Sequence, residues 1–252
     1  MRKWYGVSLF IATLSIFIAI ALVGSTQAAD RPVLRVGTDA TFPPFEFVNE
    51  KGQYVGFDMD LIRLIGAELG MDVRIVNTSF DGLIPGLMAN QFDCIIAGMT
   101  VTDERAKSVA FSTPYFNAGQ VIVVRTNDQS IHGVGDLKGK VVTTQIGTTG
   151  QLVVDKMTGL KEHRVFNTVP EAVQEVLQGR ADAAVIDLPV AADFLRSQPG
   201  KFKIVGKPFT NEVYAIAVRK DNPALLAKIN QALKQIEASG KFDALYKEWI
   251  MQ

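Results

Sequence analysis

The sequence predicts an α/β protein of two lobes, and three features predict it. Short β-rich runs alternate with amphipathic helical patterns along most of the chain, as in a layer of helices packed on a sheet. Near residue 115 the character changes, and a polar, glycine-bearing connector (127–140) separates two apolar strands. The last forty or so residues then return to the strand-then-helix pattern of the beginning. The expected organisation is a first lobe from 29 to 117, a second from 118 to 211, and a return segment of the first from 212 to 252. The chain would cross between lobes near 115–120 and 210–214, leaving a cleft of the kind that holds small ligands.

The N-terminal residues stand apart from this fold. Arg2 and Lys3 precede an apolar run from 7 to 23, followed by GSTQAAD. A positive start, an apolar core and small residues at Thr26 and Ala28 form the pattern of a secretory signal, with cleavage expected after Ala28. Residues 1–28 are therefore set aside, and the product is expected outside the cytoplasmic membrane, soluble and monomeric.

The elements follow in order. VLRVGT (33–38) reads as a strand. FDMDLIRLIGAELG (57–70) reads as a helix, with Leu61, Ile62, Ile65 and Leu69 on one face and Gly70 as its stop. VRIVN (73–77) is a strand, Ser79 begins a helix through DGLIPGLMANQ, and DCIIAG (93–98) is the next strand. Cys94, the only cysteine, lies within that apolar run and is expected to be a buried hydrophobe. In the second lobe, QVIVVR, VVTTQI, HRVF and DAAVID are strands, and TVPEAVQEVLQGR is a helix with Pro170 in its first turn and Gly179 at its end. EVYAIAVR (212–219) reads as one strand. Asn222-Pro223 starts a helix carrying Leu226, Ile229, Leu233 and Ile236, and FDALYKEWI closes the chain.

Composition narrows the function. The chain has 252 residues, 48% hydrophobic and 21% charged, with a formal net charge of zero. No basic stripe suggests nucleic acid. Motifs for a nucleophile elbow, a zinc site or a phosphate loop are missing, and His132 and His163 have no neighbouring carboxylate pattern. No catalysis, cofactor or metal is expected.

Four stretches could instead bind a ligand. In GMTVTDERAKS, Arg105 offers a planar fork that matches a carboxylate, with the Thr100 hydroxyl and a backbone group near Gly98 beside it. The same residues could equally cap a helix at Thr102 and send Arg105 to solvent. In TDATFPPFEF, Asp39 ends a strand among Phe42, Phe45 and Phe47, where a carboxylate beside aromatic faces suits an amide or a cation; Phe80 could supply an opposing ring. In IGTTGQL, Thr149 opens a helix. Asp187 ends DAAVID, either facing an ammonium or capping the helix that follows.

Taken together these motifs resemble one family. GTDATFPPFEF, GQYVGFDMDL, FDGLIPGL, DCIIAGMTVTDERAKSVAFSTPYF, the DLKGK–VVTTQIGTTG stretch, DAAVIDLP and the terminal FDALYKEW are similar to the solute-binding proteins of polar amino-acid ABC transporters. Among them the glutamine-binding and the lysine/arginine/ornithine- or histidine-binding members are most alike. The resemblance implies the type II periplasmic binding-protein fold, two lobes joined by two crossing strands, capture of one amino acid in the cleft, and delivery to a membrane-embedded ABC permease. It implies that Arg105 grips the ligand carboxylate, with Thr100 and the backbone at Gly98 and Thr149 as neighbours. Asp187 would hold the ammonium, Phe42 and Phe80 would sandwich the side chain, and Asp39 would read its far polar end. The glutamine-binding pattern departs at two places, with Gln145 where a lysine is expected and Ile186 where a histidine is. Gln145 can still pair with a ligand amide, so glutamine is the favoured ligand. Losing two basic groups beside Asp39 makes arginine or lysine the alternative. A cyclohexadienyl-type dehydratase, which shares the Arg clamp, is the more distant one.

Overall fold

The computed structural model describes Met1 and residues 31–251, so the expected signal segment lies outside the described residues. The first lobe begins with β1 (Val33–Thr38), a small three-stranded meander of β2 (Thr41–Phe42), β3 (Glu46–Val48) and β4 (Tyr54–Val55), and then α1 (Phe57–Leu69). It continues through β5 (Asp72–Asn77), α2 (Leu83–Met88), β6 (Cys94–Ile95), α3 (Asp103–Ser108) and β7 (Val109–Phe111). After β8 (Phe116–Ala118) come β9 (Gln120–Arg125), β10 (Val141–Gln145), α4 (Thr149–Val154), β11 (Glu162–Phe166), α5 (Val169–Leu177), β12 (Ala183–Asp187), α6 (Leu188–Ser197) and β13 (Phe202–Val205). The chain closes with β14 (Glu212–Tyr214), β15 (Ala217–Arg219), α7 (Pro223–Ala238) and α8 (Lys241–Trp249).

Two five-stranded mixed sheets result, ordered β5-β1-β6-β15-β7 and β11-β10-β12-β9-β13. In the first, β1 runs parallel to β5 and β6, and β15 returns antiparallel between β6 and β7. In the second, β10 runs parallel to β11 and β12, and β9 lies antiparallel between β12 and β13. Strands β8 and β14 pair with each other outside both sheets. This is a type II periplasmic binding-protein architecture. Asp39 follows the carboxyl end of β1, while Gln145 and Asp187 end β10 and β12, the strand ends where α/β proteins place ligand groups.

Local chemistry explains the helices. Helix α1 turns Leu61, Ile62 and Ile65 to the core and leaves Leu69 half-buried. Gly70, at φ 67°, closes it in the left-handed conformation that glycine adopts without strain. The Thr168 hydroxyl and Glu171 form a reciprocal capping box on α5, and the Asn222 side chain accepts from Leu225 N–H ahead of Pro223 on α7. Ile229, Leu233 and Ile236 of α7 are buried with Leu34, Val36 and Ile65. Full burial of each such side chain contributes roughly 1.5–3 kcal/mol.

Three expectations required correction. EVYAIAVR is two strands, because Glu212–Tyr214 pairs with β8 whereas Ala217–Arg219 belongs to the first sheet. DCIIAG keeps a ladder only at Cys94–Ile95; Ile96, Ala97 and Gly98 are buried outside the strand, Asp93 is half-buried, and the Cys94 thiol is fully buried as expected. The helix after Ser79 starts as a 3-10 turn over Phe80–Gly82, and the Ser79 side chain does not cap it.

One position tests the packing beneath the first sheet. A Cβ on Gly37 would stand 2.5 Å from the ring of Phe92, itself fully buried. Gly37→Ala is expected to cost about 1–3 kcal/mol by overpacking. Denaturant unfolding followed by circular dichroism measures it, and an unchanged midpoint would contradict this packing.

Candidate functional site

The site grows out of loops at the strand ends. Thr102 caps α3, its hydroxyl accepting from Arg105 N–H at 3.2 Å. The capping alternative is therefore correct for Thr102, but Arg105 does not point to solvent. It is 9% exposed, and its guanidinium donates to the Thr100 carbonyl at 2.6 Å and the Gly147 carbonyl at 3.0 Å. It also lies 5.2 Å from the centre of the Phe80 ring. Thr100 and Phe80 belong to the first lobe and Gly147 to the second, so the guanidinium spans both. Burial lowers its pKa, while Asp187, Glu212 and Tyr214 act through space to raise it. An arginine remains charged under those conditions. Among the described residues no carboxylate forms an ion pair with it, and only two of its five N–H donors have partners here.

Asp187 occupies the N-cap position of α6 without capping it. Its Oδ1 accepts from the Tyr214 hydroxyl at 2.8 Å. Burial first, and then the charge of Glu212, push its carboxyl up to about 7, against the opposing pull of Tyr214, Gln120 and Arg105. Asp39 is also buried, and its pKa is raised chiefly by burial. Its partners are all neutral: the Thr41 hydroxyl at 2.9 Å, the Gln145 amide at 2.7 Å, and the backbone of Phe80. The Gln145–Asp39 bond again joins the two lobes.

Eight of the nine expected site residues border one cavity: Phe42, Phe80, Gly98, Thr100, Arg105, Gln145, Thr149 and Asp187, with Thr148 as a further member. Asp39 stands behind Gln145. The cavity is about 10 Å³, roughly the space of one water, because side chains meet across it. Larger hollows exist, such as one of about 610 Å³ beside Pro114 and Lys234, but they are open surface depressions and contain none of the expected site residues.

Two details refine the expected roles. Gly98 N–H is already bound to Asp58 Oδ2 at 2.8 Å, so this backbone group is not a free donor. The hydroxyls of Thr100 and Thr149 both donate to Glu212 Oε2, at 2.8 and 2.7 Å. Glu212, 8% exposed, also accepts from Thr210 Oγ1 at 2.7 Å and from Gln120 Nε2 at 3.5 Å. It gathers hydroxyls from both lobes at the crossing strands, and sequence reasoning overlooked it. The available signal was an acidic residue opening an otherwise apolar strand. His163 also has a carboxylate after all: its Nδ1 lies 2.9 Å from Asp155 Oδ1, and its Nε2 lies 2.7 Å from Thr144 Oγ1. Thr144 is fully buried on β10, which denies that chain of groups a substrate.

Two lobes with a buried, unpaired arginine opposite a buried aspartate agree with what the chain is similar to. A model of the bacterial extracellular solute-binding proteins, family 3, matches residues 34–252. The chain belongs to this family. It is a solute-binding protein of the class serving polar amino-acid ABC transporters, and the family is not one of enzymes. A putative ABC transporter arginine-binding protein 2 from Escherichia coli (strain K12) is 33% identical, covering 94% of this chain and 99% of that protein. An ancestral arginine-binding protein solved with arginine superposes with a TM-score of 0.84 and 47% identity, covering 87% of this chain and 99% of that one. An ancestral arginine-binding protein was also solved with glutamine, at the same TM-score and identity, covering 88% of this chain and 99% of that one. Family members work outside the cytoplasmic membrane.

Proposed function

We propose that this protein captures free L-arginine and presents it to an ABC permease. The observation that carries the choice is the set of neutral partners around Asp39, a buried carboxylate with no cation against it among the described residues. A cationic side-chain head would pair with that charge, whereas a neutral amide would leave it uncompensated in a poorly solvated site. The arginine-binding relatives support the same reading. Glutamine, favoured from the sequence on the paired Phe residues, becomes the second reading, supported by the glutamine-bound relative.

In this reading the ligand carboxylate takes the unused donors of Arg105, and the ammonium pairs with Asp187. The Gly98 carbonyl is a further acceptor for the ammonium. The guanidinium passes between Phe42 and Phe80 to Asp39 and Gln145. Entry requires the lobes to part and reclose with ligand groups replacing the Arg105–Gly147 and Gln145–Asp39 contacts, a hinge motion about the β8–β14 pair. The segments 29–117 with 212–252, and 118–211, are the proposed moving bodies. Export through cleavage after Ala28, and a monomeric working state, complete the proposal.

A thermal-shift screen across the amino acids tests the ligand, since a true ligand stabilises the folded state by mass action. Arginine is expected to give the largest shift; a larger one with glutamine would overturn the choice. Asp39→Asn is expected to weaken arginine by about tenfold to a hundredfold, as for loss of a charged hydrogen bond. Glutamine should change by less than about threefold, and calorimetric titration of both ligands separates the two readings.

A further inference from the structure

Behind the site lies a second pair of acids that the binding scheme does not use. Glu46 on β3 and Asp58 in the first turn of α1 are both fully buried, as are their chain neighbours Phe45 and Phe57. Asp58 Oδ2 is well satisfied, accepting from Gly98 N–H at 2.8 Å and from the Tyr115 hydroxyl at 2.7 Å. Among the described residues, Asp58 Oδ1 and both Glu46 oxygens find no N–H or O–H donor from any other group. Glu46 and Asp58 interact directly with each other, and two ionised carboxylates buried so close would repel each other and lose their hydration. One proton between them removes both penalties and satisfies the bare Oδ1.

We propose that Glu46 is a neutral acid donating its proton to Asp58 Oδ1, and that this proton-sharing pair is a positioning device that holds Gly98 at the amino-acid site. The argument rests on the binding role given above to that site. Gly98 has φ 50°, and a Cβ there would stand 2.7 Å from the Phe42 ring, so the backbone is wedged against a cavity wall. An ionised Asp58 grips Gly98 N–H more strongly than a neutral one would, and Glu46 keeps Asp58 ionised by supplying the missing donor. The titratable groups facing Glu46 are Asp58 from α1, Asp39 after β1, Asp187 from β12, Tyr115 before β8 and Tyr214 from β14. The three carboxyls among them all raise its pKa, with burial as the largest cause. Asp58, despite burial, is raised only to about 6, since Gly98, Tyr115 and Glu46 each favour its charged form.

Infrared spectroscopy of the unaltered protein at about pH 8 reads the proton directly, because Asp58 and Asp187, at about 6 and about 7, are then mostly ionised. A protonated-carboxyl stretch is expected there and should vanish in Glu46→Gln. The amide of Glu46→Gln still donates to Asp58, so arginine affinity should stay within about threefold of the unaltered protein. Glu46→Leu supplies no donor; it should weaken arginine by about tenfold and move the acid limb of the affinity profile to higher pH. Absence of the band in the unaltered protein overturns the inference without recourse to any variant. Equal weakening by Glu46→Gln and Glu46→Leu overturns it as well. Failure of the unaltered protein to bind any amino acid would count against the function proposed above, whereas the band is independent of ligand.

Discussion

Arg105→Ala is expected to abolish useful amino-acid capture, weakening it by about 2–5 kcal/mol, roughly thirty- to several-thousand-fold. Arg105 is the buried cation of the site, and a captured carboxylate would be stripped of water beside nothing able to neutralise it once the guanidinium is gone. Arg105→Lys serves as the companion, since it restores the charge without the planar fork and should recover only part of the loss. The variant also loses the bonds to the Thr100 and Gly147 carbonyls and the contact with Phe80. A parallel unfolding measurement therefore separates lost binding from lost stability. Titration calorimetry showing less than about threefold weakening in a folded Arg105→Ala protein would remove the residue from the site.

Asp187→Asn is expected to weaken binding by a similar factor and to flatten its pH dependence. With its carboxyl raised from 3.8 to about 7, Asp187 holds a proton in much of the unliganded protein below neutrality. An ammonium requires the ionised form, so binding at about pH 6 should release a proton, and affinity should climb by up to tenfold per unit as pH rises towards about 7. Stability runs the other way in the unliganded protein. A carboxyl that binds its proton more tightly when folded subtracts stability as pH rises from 3.8 to about 7, and the loss is complete above that window. A bound ammonium, by favouring the ionised form, should offset that loss. Calorimetry in buffers of different ionisation enthalpy counts the released proton. An unchanged proton count in Asp187→Asn would assign the titration to another group.

The site was legible in part. Asp187 was readable at the end of β12, and Arg105, Phe42 and Phe80 in segments that follow strands; all four border one cavity, and their ligand roles are those proposed above. Glu212 was not readable, because its importance comes from Thr100, Thr149, Gln120 and Thr210 meeting at one carboxylate across more than a hundred residues of chain. Glu46 and Asp58 look like an acid in a meander and an acid in a helical first turn, the ordinary place for one. Only their burial against each other gives them a shared proton.

Local chemistry, which depends on neighbours in the chain, was therefore decided by the residues themselves. The faces of α1 and α7, the caps at Thr102, Thr168 and Asn222, and the alternation of strands and helices all belong to this class. The division of EVYAIAVR between two pairings, the Gln145–Asp39 bond across the lobes and the hydroxyl cluster on Glu212 needed the folded chain. The physical reason is range. Capping and helical periodicity act over three or four residues, whereas desolvation and charge pairing depend on which groups the fold carries out of water together.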